Sequence, residues 1–223
     1  MPSSRRPAGD RRESLAERRA RRAEVDDPQV VLDAAARFLE ARPRSVGEVR
    51  RRLRQAGYRE ELIEASIERL TELGVLDDAA FARQWVESRD RAHPRGEHAL
   101  MIELRQKGID GPTIAATLRE RREAAVRWED GPTNDSDSER SAGAALEVTA
   151  AERLLKRHTR ALARIGDSRV RRQKAYALLA RNGFDPETAS TVARRFVETL
   201  GDDQGQAAIE DAPTHGPMSP GSD

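Results

Sequence analysis

Few residues in this chain have the type and spacing that catalysis needs. His93 and His98 lie near each other, but five positions separate them and Pro94 intervenes. They fall on different helix faces and read as a surface pair, not as metal ligands. Asp77 and Asp78 are adjacent carboxylates of the kind that can hold a divalent cation, although helix capping accounts for one of them fully. Phe81 and Trp85 are four apart, the spacing of a helix core face, not of a ligand-stacking platform. His158 stands at the border of an apolar face and reads as a packing residue. There is no Walker-type phosphate loop and no G-x-S-x-G elbow. The 223 residues include no cysteine, which excludes disulfides and a cysteine zinc site. We expect no enzyme, no metal and no cofactor. What remains is binding.

Basic side chains are the candidates for that. At 100° per residue, Arg153, Arg157, Arg160 and Arg164 fall within about 60° of one another on the first helix of a C-terminal segment. Arg169, Arg171, Arg172 and Lys174 follow on the next helix. Between 144 and 200 there are twelve Lys and Arg against six Asp and Glu, in a chain whose net charge is only +1. The flanks are acidic: one base against five acids in 129–143, and none against five in 201–223. Such a stripe is either a solvated face or a surface for nucleic acid or an acidic protein. The tract Arg50-Arg51-Arg52-Arg54 is more ambiguous, because five glutamates in 60–72 can neutralise it.

The elements that position these residues follow from a repeated six-residue pattern. Leu53-x-x-x-Gly57-Tyr58, Leu104-x-x-x-Gly108-Ile109 and Leu179-x-x-x-Gly183-Phe184 each place a large apolar residue after a glycine. A glycine that ends a helix in the left-handed conformation needs that context, since the leucine and the apolar residue meet across the turn. The next helix starts at once, with Asp110 and Asp185 as N-caps and Pro186 at its first position. In the first copy Arg59 is a poor cap. Ser45 and Glu48 form a capping box ahead of the first of these helices. Charged residues make up 35% of the chain and aromatics 4%, so stacked small units suit it better than one large core.

The expected fold is therefore all-α: three tandem three-helix units forming an elongated, curved helical protein with disordered tails. The boundaries are a disordered basic arm at 1–29, repeats at 30–77, 78–128 and 144–200, an acidic flexible linker at 129–143 and a disordered acidic tail at 201–223. No stretch alternates with period two, so no sheet is expected. No run of about 18 apolar residues spans a membrane, and Met1 to Arg22 lacks the apolar stretch of a secretory signal. A soluble, cytoplasmic, monomeric protein is expected.

The segment Leu76-Asp77-Asp78, then Phe81-Ala82, Trp85-Val86 and Arg89 resembles the central signature of the RecX family, the regulators of the RecA recombinase. Leu104, Lys107, Gly108 and Ile109 resemble its second signature, and Arg42 through Tyr58 its first repeat. The resemblance covers 30–121 well and 144–200 more weakly. It implies tandem three-helix repeats, with these signature residues mainly structural. It also implies modulation, usually inhibition, of RecA through binding along the RecA–DNA filament, with effects on ATP hydrolysis and strand exchange. The partners it implies are the filament and single-stranded or duplex DNA, directly and weakly or through the filament. Two other classes stay open: a helix-turn-helix transcription regulator, against which the acidic or apolar third helices argue, and a passive helical adaptor without DNA affinity.

Overall fold

The computed structural model describes residues 13–129 and 136–210, with side chains described outside 125–142 and 201–210. Among the described residues the chain forms eleven α-helices and no strand. They are α1 Leu15–Ala23, α2 Pro28–Leu39, α3 Val46–Ala56, α4 Glu60–Glu72, α5 Asp78–Ala92 and α6 Glu97–Lys107. The remainder are α7 Gly111–Glu129, α8 Ser136–Arg157, α9 Thr159–Ala163, α10 Ser168–Arg181 and α11 Pro186–Glu210. The chain divides into two compact units. Unit 1 is Met1–Val86 with Ile102–Thr117, and unit 2 is Glu87–Met101 with Leu118–Asp223. α5, α6 and α7 each contribute residues to both.

The helix ends are where the glycine pattern places them. Gly57, Gly108 and Gly183 have φ of +100°, +86° and +80°. After each, the apolar residue's N–H donates to the leucine carbonyl: Tyr58 to Leu53, Ile109 to Leu104, Phe184 to Leu179. That bond defines a Schellman turn. A fourth copy closes α4: Leu70-Thr71-Glu72-Leu73-Gly74-Val75 has the same spacing, Gly74 has φ +66°, and Val75 donates to Leu70. Asp110 accepts from Thr113 N–H and Asp185 from Thr188 N–H, so both cap as expected, while Arg59 caps nothing with its side chain.

Unit 1 packs around Val31, Val49, Leu53, Ile63, Ile67, Leu70 and Leu76, bulky aliphatic groups from α2, α3, α4 and the turn after it. Unit 2 packs around Ala150, Ala151, Leu154, Leu155, Ala175, Leu179, Phe184, Ala189, Val192 and Ala193. Alanines of α8, α10 and α11 pack there beside the larger Leu154, Leu155, Leu179, Phe184 and Val192. Ala189, small where the other repeats have isoleucine, is fully buried.

Several boundaries differ from expectation. The basic arm at 1–29 contains α1, whose Ser14 and Glu17 form a capping box, and α2 already begins at Pro28 behind the N-cap Asp27. α1 lies against the end of α3, with Arg22 donating to the Ala56 carbonyl and stacking over Tyr58. Of the linker at 129–143, residues 136–143 are the start of α8, and of the tail at 201–223, residues 201–210 continue α11. Once Ala150, Ala151, Leu154 and Leu155 are packed, extending the helix upstream costs little per residue. Residues 1–12, 130–135 and 211–223 lie outside the described residues.

Candidate partner-binding surface

The signature residues of unit 1 build a junction between helix ends. Asp77 accepts from Ala80 N–H and caps its own helix α5. Asp78 instead accepts from Val46 N–H, the first residue of α3, at 2.8 Å. Two adjacent carboxylates therefore cap two different helices. Burial holds the Asp78 carboxyl above its ordinary range, against the opposing pull of the Val46 N–H. Ser45, fully buried, accepts from Glu48 N–H and donates its hydroxyl to the Lys107 carbonyl. Gly47 then lies against Gly108, so close that a Cβ on it would stand 2.8 Å from the Gly108 Cα. The Lys107 ammonium bridges Glu48 at 2.9 Å and sits 4.6 Å above the Trp85 ring centre. Burial works against ionisation of Glu48, but hydrogen bonds and charge from Lys107 and Arg42 outweigh it and hold the carboxyl below its ordinary value. Trp85 donates to Glu103 and stacks on Phe81, which is buried with Leu76, Ala82, Leu104 and Ile109. Arg89 is half-buried. The contacts of Asp77, Asp78, Phe81, Trp85 and Lys107 run to helix ends and side chains of the same unit.

Unit 2 repeats the junction with different chemistry. Gly96, just ahead of α6, lies on Gly183, and its N–H donates to the Asn182 carbonyl at 3.0 Å. Beside it Arg121, its side chain 5% exposed, clamps both oxygens of Asp90 and reaches Glu147 at 3.0 Å. Arg122 pairs with Glu97. Burial raises Glu147 above its ordinary range in spite of the Arg121 charge. Nothing in the periodic pattern singles out Arg121; a guanidinium becomes central here only because α5 and α8 bring carboxylates to it.

The predicted arginine stripe is not one stripe. α8 ends at Arg157, and His158, with φ −103° and ψ 6°, separates it from the short α9. Arg153 and Arg157 are on α8, Arg160 is on α9, and Arg164 is the C-cap of α9. His158 is exposed, not packed. The Arg157 guanidinium donates to the Ala92 and Arg91 carbonyls at the end of α5. Arg171 is no surface residue: 4% exposed, it donates through Nε and Nη2 to the Ile165 carbonyl and ties the α9–α10 turn to α10. Arg153, Arg160, Arg164, Arg169, Arg172 and Lys174 are exposed. By contrast, two arginines of the unit 1 tract are paired with glutamates, Arg50 with Glu64 and Arg54 with Glu60, while Arg51 donates to the Gln106 carbonyl and Arg52 lies over the Phe38 ring. Arg194 on α11 and Tyr176 on α10 join the exposed set beside Arg169 and Arg172. The i, i+3, i+7 spacing of Arg169, Arg172 and Tyr176 is visible in the sequence; the approach of Arg194 from α11 is not.

Among the described residues no cluster of His, Asp or Glu is arranged to hold a metal, and His93 and His98 are both exposed. No described helix is long and apolar enough to cross a membrane.

Comparison with known proteins places these features. The model of the first three-helix domain of RecX matches residues 32–70, and that of the second matches 77–118. Regulatory protein RecX of Prosthecochloris aestuarii is 34% identical over 162 residues, 73% of this chain and 90% of that protein. The Thermobifida fusca protein of the same name is 31% identical over 165 residues, 74% of this chain and 77% of its own length. That of Mycolicibacterium smegmatis is 40% identical over 91 residues, with 48% of its length covered. The crystal structure of RecX from Lactobacillus salivarius superposes with a TM-score of 0.54 at 22% identity, over 77% of this chain and 97% of that one, a likeness of fold.

Proposed function

The chain belongs to the RecX family of regulatory proteins, and on that premise we propose that it inhibits the RecA recombinase by docking its basic third repeat on the RecA–DNA filament. One observation carries the docking: Arg153, Arg160, Arg164, Arg169 and Arg172 are exposed, and no described carboxylate forms an ion pair with them. The same chain pairs Arg50 and Arg54 of its other arginine tract with glutamates, so guanidiniums left open across a repeat are the natural complement of an anionic partner. A nucleoprotein filament offers phosphates and acidic protein together.

The test is RecA-dependent ATP hydrolysis on single-stranded DNA with the purified protein added. Wild type should lower the rate in proportion to its concentration. A variant with Arg153→Glu, Arg160→Glu and Arg164→Glu should need several-fold more protein for the same effect. Arg157 is left out because it is bonded to α5 carbonyls. No effect of wild type at stoichiometric excess returns the chain to the adaptor reading.

A further inference from the structure

We propose that the groove between α10 and α11 binds a single strand of nucleic acid, with Arg169, Arg172 and Arg194 on its phosphates and Tyr176 stacked on a base. This deepens the filament reading and rests on it for its biological setting, but its chemistry comes from the groove. On α10, positions 169, 172, 173 and 176 fall within about 100° of one another. They face Ser190, Ala193, Arg194 and Val197 of α11 across two adjoining hollows of about 330 and 350 Å³ that share Arg169 and Arg172. Two small residues, the exposed Ser190 and the fully buried Ala193, line the α11 side of one hollow.

Three guanidiniums converge on this groove, and no described carboxylate pairs with any of them. Glu198 lines one end and leaves the groove with an excess of positive charge. A cleft lined by one sign of charge concentrates the opposite ion, and guanidinium forks match phosphate geometry. At the other end stands Tyr176, 37% exposed, in a chain with only two tyrosines. An exposed ring beside unpaired arginines is the pairing by which single strands are held without sequence preference, since every base has a face to stack. A duplex hides those faces, and its major groove requires an element that protrudes, which a hollow between two helices does not offer. An acidic polypeptide could use the arginines but makes no demand on the ring.

The experiment is fluorescence anisotropy of a labelled oligothymidylate titrated with the full chain, without recombinase, at several salt concentrations. For three phosphate contacts, the plot of log affinity against log salt should have a slope of about −2. Arg169→Glu with Arg172→Glu should weaken binding by roughly tenfold or more and flatten that slope. Lys174→Glu with Arg181→Glu, the same charge change on exposed positions about 120–140° around α10 from Arg169, should cost far less. Tyr176→Ala should weaken binding by about fivefold or more, and Tyr176→Phe should leave it unchanged, because stacking needs the ring and not the hydroxyl. All four variants should keep the helicity and melting temperature of wild type. Equal losses in the two double variants would mean diffuse attraction and overturn the site. So would wild type failing to bind, or Tyr176→Ala binding normally while polyglutamate displaces the strand, which would assign the groove to an acidic protein. Recombinase is absent, so this result and the ATP hydrolysis result stand or fall separately.

Discussion

In unit 1 the Schellman turn after α6 rests on the first turn of α3, with Gly108 against Gly47; in unit 2 the turn after α10 rests on the start of α6, with Gly183 against Gly96. Both contacts are backbone on backbone. Around them the side chains differ. Unit 1 uses a buried serine, a half-buried aspartate and a lysine–glutamate bridge beside a core of Val, Leu and Ile. Unit 2 uses a buried arginine held by two carboxylates beside an alanine-rich core. The shared part is the part where any side chain would collide. The variable part is whatever satisfies the polar groups left over, and several chemistries can do that.

The comparison is broken most severely at Arg121. Arg121→Ala strands Asp90 and Glu147 in unit 2 and should cost about 3–5 kcal/mol in urea unfolding. Lys107→Ala in unit 1, where the cation itself is 22% exposed against 5% for Arg121, should cost about 1 kcal/mol. Equal losses would mean that the two junctions carry the same electrostatic load.

The glycines come next. A Cβ at Gly96 would lie 2.1 Å from the Gly183 carbonyl oxygen, and φ there is not positive, so Gly96→Ala measures the junction alone. We expect about 1–3 kcal/mol. Gly74 has φ +66° with nothing within 4 Å of its Cβ position, so Gly74→Ala measures backbone conformation alone, about 1 kcal/mol. Gly183→Ala meets both penalties and should exceed Gly74→Ala. If Gly74→Ala proves the costlier, the close approach is not what the glycines serve.

Acidity gives the smallest effect, with opposite signs at two carboxylates. The Glu147 pKa is raised on folding, so the folded state holds a proton that the unfolded state has lost just above the ordinary value of 4.5. Its contribution to stability therefore falls as pH rises through that window. The Glu48 pKa is lowered, so its contribution is present above 4.5 and is lost as pH falls through its folded value. Urea midpoints followed across mildly acidic pH should show Glu147→Gln removing the first slope and Glu48→Gln the second. A wild-type slope retained in Glu147→Gln would move the titration to other carboxylates, Asp78 first, whose pKa is also raised by burial.

Much of the fold was legible because its signals are short. A leucine, a glycine and an apolar residue within six positions close a helix by bonds among themselves, and Asp110 or Asp185 opens the next one three residues from the N–H it caps. Gly74 carried the same signal in a fourth copy, outside the three-repeat alignment. The basic surface was legible only in part. Composition marked 144–200 as cationic, but periodicity on an assumed continuous helix placed Arg153 through Arg164 in one line, and the break at His158 divides them. Arg171 looked like its neighbours until a carbonyl six residues earlier claimed it.

The sequence by itself determined the helix ends at the glycine turns and the caps that follow them, because capping, left-handed glycine and apolar spacing act between residues a turn or two apart. Tertiary structure decided which groups those ends meet. Asp78 caps a helix 32 positions upstream, Gly96 needs Gly183 before its missing Cβ has a purpose, and Arg121 needs Asp90 and Glu147 from two other helices. Such contacts join residues whose separation along the chain says nothing of their distance in space, and only packing brings them together.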